Sequence, residues 1–267
     1  MSFKNKTVFI TGASAGIGLA LARGFAKKEA QVVLTGRRRD RIDQEVKNLR
    51  ASGYTALGLT CDVARAEDLA QAVISTQKAF QKIDVVIANA GFAVAGRLDQ
   101  LTLEDYQRQF ETNVWGVLRT IYATVEELKK TRGTLVLLGS VSGYVSLPGI
   151  SAYGMSKFAI HALAQSLRAE LKAFGVSVVL IAPGFVVSEI RQVDNRGLHH
   201  PQAKEPIPAW LSMPTEKAAE KIIRAIAARR KEEVITFHGK LIVWIQRHCP
   251  WILDGLVKLG LKGRTEP

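Results

Sequence analysis

The stretch Lys6-Thr-Val-Phe-Ile-Thr11 is a short apolar run that leads straight into Gly12-Ala-Ser-Ala-Gly16-Ile-Gly18. Beyond it, Leu19, Leu21, Phe25 and Ala26 recur at roughly helical spacing. A strand, a glycine turn and a helix in that order suit a dinucleotide. Missing side chains let the backbone turn sharply and approach a pyrophosphate, while free N–H groups at the helix start attract its negative charge. Gly12, Gly16 and Gly18 are therefore candidate cofactor contacts.

Outward from this unit the alternation repeats. Gln31 to Thr35 reads as a strand, Gly36-Arg-Arg-Arg39 as a basic turn, and a charged helix runs to about Ala51. Strands are expected at 55–60, 84–89, 134–138 and 176–181, with helices at 66–80, 102–130 and 153–174 between them. The strands are almost wholly apolar and lack period-2 alternation, as strands covered on both faces do. No linker or internal repeat interrupts the pattern up to Pro183. The expected fold is a single α/β domain over 1–267, a doubly wound parallel sheet of Rossmann type with helices on both faces. Residues 239–267 form a C-terminal apolar and basic extension.

Composition agrees. Hydrophobic residues make up 47% and charged residues 23%, near the averages of globular proteins, which sets aside disorder and fibrous architectures. Cys61 and Cys249 form no CxxC pair, so a disulfide framework or zinc module is not expected and no metal is assigned. A reducing, cytoplasmic setting fits. The amino terminus, Met1 to Lys6, lacks the apolar core and cleavage site of a signal peptide. No stretch reaches the roughly 18 uncharged residues that span a bilayer. The formal charge of +13 admits nucleic acid, an anionic membrane surface, a phosphorylated ligand, or simply a solvated basic surface. No nucleic-acid motif is present, so that partner is not expected.

The end of the second strand narrows the choice. A ribose 2′-hydroxyl usually meets a carboxylate there, about 20 residues after the glycine turn. This chain has Thr35-Gly-Arg37-Arg38, and its first acid, Asp40, falls too late. A guanidinium pairs with a 2′-phosphate. Arg37 is the first choice of ligand, Arg38 the second, and Ser14 could add a hydroxyl. Three arginines also suit a solvated helix start. NADP is favoured over NAD.

Tyr153-Gly-Met-Ser-Lys157 places a phenol and an ammonium at i and i+4, on one helix face. A phenol is a poor acid–base at neutral pH, with an ordinary pKa of about 10, and a nearby cation lowers it. Ser140 follows the apolar strand Leu135 to Leu138, at a carboxyl end where α/β folds bind ligands.

Together these residues resemble the short-chain dehydrogenase/reductase family, in its branch of about 250 residues, over Thr7 to roughly Ile190. The motifs that carry the resemblance are Thr11-Gly-Ala-Ser-Ala-Gly-Ile-Gly18, Asp62-Val63, Asn89-Ala90-Gly91, Asn113, Ser140, Tyr153-x3-Lys157 and Pro183-Gly184-Phe-Val186-Val-Ser188. The resemblance implies that Tyr153 gives a proton to a carbonyl oxygen, or takes one back from an alcohol. It implies that Lys157 holds the nicotinamide ribose and depresses the Tyr153 pKa. Ser140 would polarise the carbonyl, and Asn113 would hold a water linking Lys157 to solvent. Asp62 and Val63 would border the adenine, Asn89 the cofactor ribose, and Ile17 and Val186 would offer backbone groups to the pyrophosphate and carboxamide. Ala90, Gly91, Pro183, Gly184 and Ser188 complete the cofactor set, Ser188 standing where the family more often has Thr.

The implied activity is NADP-dependent hydride transfer between a carbonyl and an alcohol. The alternative is a dinucleotide sensor or scaffold without turnover. Phe92 to Gly96, Val141 to Ile150 and Phe185 to Trp210 are expected to line the substrate pocket, with Tyr144, Val145, Leu147, Ile150, Phe185 and Val187 making it apolar. Glu189, Arg191 and Arg196 could meet a polar substrate group or lie on the surface. His199-His200 reads as a loop pair. The family pairs subunits through the helices at 102–130 and 153–174, so a homodimer or homotetramer is expected. The extension interleaves Leu241, Trp244, Ile245, Trp251, Ile252, Leu256 and Leu259 with Lys240, Arg247, Lys258, Lys262 and Arg264. It either packs on protein or lies peripherally on a membrane through 239–264.

Overall fold

The computed structural model describes residues 1–200, 202–203 and 207–255. Its first strand, β1 (Thr7–Ile10), is buried along its whole length, and the alternation of its side chains sets the layers. Val8 and Ile10 face one core with Leu21 and Phe25 of α1 (Gly16–Ala26) and Ile222 and Ile226 of α7 (Thr215–Ala227). Phe9 faces the other, with Leu69 of α3 (Ala66–Phe80), Ile121 and Leu128 of α5 (Gly116–Thr131) and Ile160 of α6 (Ser151–Glu170). Both faces of the strand are apolar because both are covered. Each large side chain so buried stabilises the fold by roughly 1.5–3 kcal/mol before entropy is counted.

The remaining strands are β2 (Gln31–Gly36), β3 (Ala56–Thr60), β4 (Val85–Ala88), β5 (Thr134–Leu138), β6 (Ser177–Ala182) and β7 (Glu232–Val234). They form one seven-stranded sheet in the order β3-β2-β1-β4-β5-β6-β7, every pair parallel. Ile10 is in register with Leu34 on one side and Ile87 on the other. The chain leaves β1 toward β2 in one direction and returns to β4 in the other. That switch opens a crevice beyond the carboxyl ends of β1 and β4, where such sheets bind ligands. The doubly wound parallel sheet expected from the sequence is the one observed.

The helix expected at 102–130 has three parts. These are α4 (Leu103–Phe110), one π-helical turn (Glu111–Trp115) and α5. The Asp105 carboxylate opens α4 by accepting from the Thr102 amide at 3.0 Å. The last strand is shorter than its apolar run, because Thr236 caps the helix that follows, α8 (Phe237–His248), by accepting from the Gly239 amide at 3.3 Å. The chain is helical again over 250–255. Leu256, Lys258, Leu259, Lys262 and Arg264 of the extension lie outside the described residues.

Candidate active site

One cleft at the carboxyl edge of the sheet gathers Gly12, Ser14, Gly16, Ile17, Arg37, Arg38, Asp62, Val63, Asn89, Ala90, Gly91, Ser140, Tyr153, Lys157, Pro183, Gly184, Val186 and Ser188. Its dinucleotide side is a tight hydrogen-bonded unit. Gly12 has a φ of +65°, and a Cβ there would lie 2.8 Å from the Ala90 Cα. A Cβ on Gly18 would sit 2.5 Å from the Asn89 amide nitrogen. Asn89 Nδ2 donates to the Thr11 and Gly12 carbonyls at 2.8 and 3.2 Å, joining the end of β4 to the turn. Helix α1 starts after Ala15, whose methyl cannot cap it. The first-turn N–H groups, which have no partner within a helix, are thereby left to a ligand. A pyrophosphate fits this arrangement.

At the end of β2 the second residue past Gly36 carries the polar contacts. Arg38 Nε donates to Ser14 Oγ at 3.0 Å, and its Nη1 donates to Glu189 at 2.7 Å. Arg41 grips the other oxygen of Glu189 at 2.6 Å. Arg37 is exposed and lines the same cleft. Asp62 accepts from the Ala64 amide at 3.0 Å and orders the turn after β3, while Val63 is buried against the core.

At the other end, β5 delivers Ser140 and α6 delivers Tyr153 and Lys157. Ser140 Oγ accepts from the Ser142 amide at 3.0 Å, which fixes the hydroxyl at the start of a short 3-10 turn. Lys157 is 7% exposed, and its Nζ donates to the Leu138 carbonyl at 2.9 Å while lying 5.6 Å from the Tyr153 ring centroid. Burial pushes its pKa down from 10.5 to about 8. Burial also raises the Tyr153 pKa above 10, outweighing the opposing effects of the Ser140 hydrogen bond and the Arg191 charge. Phenol and ammonium come together as the spacing implied, with the lost water rather than the ammonium setting the direction of the shift. The ammonium is held on a backbone carbonyl, desolvation wins, and Tyr153 keeps its proton.

Asn113 sits in the π turn, just outside the cleft, whose wall at this point is Thr112. Its amide accepts from the Phe92 N–H at 3.1 Å and donates to the Phe92 carbonyl at 3.0 Å and to Ser156 Oγ at 3.2 Å. Ser156 in turn donates to the Tyr153 carbonyl at 2.7 Å. Asn113 thus ties the loop after β4 to the tyrosine helix.

Two histidines behind the cleft escaped the sequence reading. His161 is buried under the Ser140 loop, its Nε2 3.5 Å from the Ser140 amide, and burial pushes its pKa down to about 4. His238 of α8 accepts the Phe185 amide at 3.0 Å and stacks on the Phe185 ring at 5.2 Å, bracing the 183–188 loop from the C-terminal side. Tyr144, expected in the pocket, instead packs edge-on against His161 at 4.4 Å with Arg247 5.3 Å over its ring. Leu147 and Val187 are exposed, whereas Phe92, Ile190 and Val193 line the cleft. His200 pairs with Asp194 at 2.8 Å, and His199 lies 3.7 Å from Glu189.

Residues 6–198 match the short chain dehydrogenase family. The chain belongs to the short-chain dehydrogenase/reductase family. Other comparisons agree with this membership. The mouse dehydrogenase/reductase SDR family member 4 is 32% identical over 191 residues, 71% of this chain and 68% of that protein. The uncharacterized oxidoreductase YxnA of Bacillus subtilis is 32% identical over 96% of this chain and 72% of its own. The 11-beta-hydroxysteroid dehydrogenase A of Sesamum indicum is 29% identical over 95% of this chain and 75% of its own. A short-chain dehydrogenase/reductase of Burkholderia phymatum in complex with NAD superposes with a TM-score of 0.84, covering 95% of this chain and 96% of its own at 23% identity. The alcohol dehydrogenase of Thermococcus sibiricus complexed with 5-hydroxy-NADP gives 0.75, covering 86% and 95% at 28% identity. This family member is thus an oxidoreductase by descent, in a family that uses nicotinamide dinucleotides.

Proposed function

We propose that this chain is an NADPH-dependent reductase that interconverts a carbonyl and an alcohol on an apolar substrate. The observation that carries the reading is the convergence of Ser140, Tyr153 and Lys157 on the cleft that also holds the glycine turn and Arg38. Bound NADPH would supply the hydride. The chain's own residues do the rest. The first turn of α1 and Gly12 hold the pyrophosphate, while Ser14, Arg37 and Arg38 hold the 2′-phosphate. Ser140 donates a hydrogen bond to the substrate carbonyl. Tyr153, kept protonated by burial, gives its hydroxyl proton to the developing alkoxide. The Lys157 ammonium stabilises the phenolate that this transfer leaves behind. A phenol held protonated suits reduction better than oxidation. Among the non-polar lining groups, Phe92, Ile190 and Val193 favour an apolar substrate.

The same reading extends to partners. Trp115 and Tyr122 on the helix around α5, and Met155 and Phe158 on α6, are large and 45–80% exposed. They support pairing of two copies through these helices. On α8 the residues Phe237, Leu241 and Trp244 follow a helical stripe and are 82%, 50% and 54% exposed. Trp251 and Ile252 add exposed apolar groups beyond it. This surface supports peripheral contact with a membrane beside the pocket; among the described residues no helix is long and apolar enough to cross one.

The deciding experiment titrates the protein with NADPH and NADH and then assays carbonyl compounds from small diketones to bulky apolar ketones, with Tyr153→Phe in parallel. Turnover with NADPH, lost by a factor of at least about 10² in Tyr153→Phe while cofactor binding persists, is expected. NADPH binding without turnover of any ketone would favour the sensor reading.

A further inference from the structure

The carboxylate of Glu189 sits where an anion is wanted. Its Oε2 takes Arg38 Nη1 at 2.7 Å and its Oε1 takes Arg41 Nη1 at 2.6 Å. The same Arg38 holds Ser14 through Nε at 3.0 Å. Ser14 and Arg38 belong to the glycine turn and the end of β2, whereas Glu189 belongs to the loop that follows β6, 151 positions further along the chain from Arg38. The pair therefore bridges the cleft from its adenosine side to its substrate loop. Exposed surface pairs contribute little to stability. This one draws a loop over a binding cleft. Glu189 is part-buried, and although burial works against its charge, the two guanidiniums hold its pKa below the ordinary carboxylate range.

We propose that Glu189 is a specificity-determining residue that acts as an internal stand-in for the 2′-phosphate. It occupies the Arg38 guanidinium when that phosphate is absent and must yield it when NADPH binds. The inference rests on the NADPH reading above. A guanidinium has donors enough to keep Ser14 through Nε while exchanging its Nη1 partner. A phosphate dianion carries more charge than a carboxylate and accepts at more oxygens, so the exchange favours the cofactor. NADH offers a hydroxyl at that position, which cannot displace a charged carboxylate. The carboxylate thereby weakens NADPH somewhat and leaves NADH indifferent. In exchange, the 189–192 segment is released only by the phosphorylated cofactor.

The test measures dissociation constants for NADPH, NADH, adenosine 2′,5′-bisphosphate and 5′-AMP with the wild-type protein and with Glu189→Gln. NADPH and the bisphosphate are expected to bind the variant roughly three- to tenfold more tightly, the scale of one charged contact discounted for its solvent exposure. NADH and 5′-AMP should shift less than about twofold by the same reasoning. Amide hydrogen exchange on the wild-type protein gives a second readout that needs no variant. The 188–193 segment should exchange faster with the bisphosphate than with 5′-AMP. Equal tightening of all four ligands, or weaker NADPH binding by the variant, overturns the proposal, as does greater protection of 188–193 by the bisphosphate. If the wild-type protein prefers NADPH and Glu189→Gln leaves that preference unchanged, the stand-in role alone falls. If the wild-type protein does not distinguish the 2′-phosphorylated ligands at all, the NADPH reading falls and takes this role with it.

Discussion

Replacing Lys157 by methionine should remove activity and at the same time relieve a pH-dependent stability cost. The side chain is 7% exposed, and its pKa falls from 10.5 to about 8 on folding. A base whose pKa is lowered in the folded state is bound more tightly by protons in the unfolded chain. Below the folded value it therefore destabilises the fold in full, and that cost fades as pH rises from about 8 toward 10.5. With one pKa unit worth about 1.4 kcal/mol, the cost is about 3 kcal/mol at pH 7 and under about 1 kcal/mol at pH 10. Urea denaturation of wild type and Lys157→Met at both pH values isolates this group, because the other titrating groups cancel in the difference. Wild type should gain about 2–3 kcal/mol relative to the variant between pH 7 and pH 10. A stability difference that stays constant between the two pH values would mean that the ammonium is not desolvated as the geometry requires, and the reasoning from burial would fail. In parallel, kcat/KM for reduction should decline above about pH 8 as Lys157 loses its charge.

Three further outcomes are expected. Arg37→Ala and Arg38→Ala should each weaken NADPH by about 1.5–3 kcal/mol and NADH by much less, read by calorimetry; equal losses would remove the phosphate assignment. His238→Gln keeps an acceptor for the Phe185 amide. Burial holds the His238 pKa below its ordinary 6.5, so stability falls as acid protonates the unfolded chain below that value, and the variant should lose this part of the acid sensitivity in thermal melts. Replacing both Phe237 and Trp244 by Ser should abolish co-sedimentation with anionic vesicles while leaving NADPH affinity unchanged; vesicle binding that survives would turn attention away from the α8 stripe.

The parts of the site that were legible in the sequence are those whose chemistry is local. The glycine turn lies within seven residues of one strand end, and Tyr153 and Lys157 share one helix face, so spacing alone brings them together. The layering was legible because apolar strands without alternation admit few other arrangements. What escaped is long-range. His161 meets Ser140 across 21 positions, His238 meets Phe185 across 53, and Arg38 meets Glu189 across 151. No periodicity encodes such contacts. Tyr144 was misplaced for a related reason: its ring is apolar enough for a pocket, but His161 offers a buried surface on the opposite side of the loop. The direction of the Tyr153 shift was also beyond the sequence, because it depends on whether the neighbouring ammonium or the lost water dominates.

The π turn at Glu111–Trp115 gives its helix one place where its length can change without turning the rest. Upstream of it, Gln109 is fully buried and accepts from the Val94 amide at 2.6 Å while donating to the Phe92 carbonyl at 2.9 Å. Downstream, Val117, Ile121 and Leu128 face the core. The wide turn between the two halves takes one residue more than an α-turn would and absorbs it locally. Deleting one residue there would convert the wide turn to an ordinary α-turn and leave the two halves close to their present phase, displacing chiefly Asn113 from Phe92 and Ser156. The same deletion within α5 would instead turn its apolar stripe by about 100° relative to the Gln109 clasp. A one-residue change of length is thus absorbed at this turn and not in the α-helical turns on either side of it.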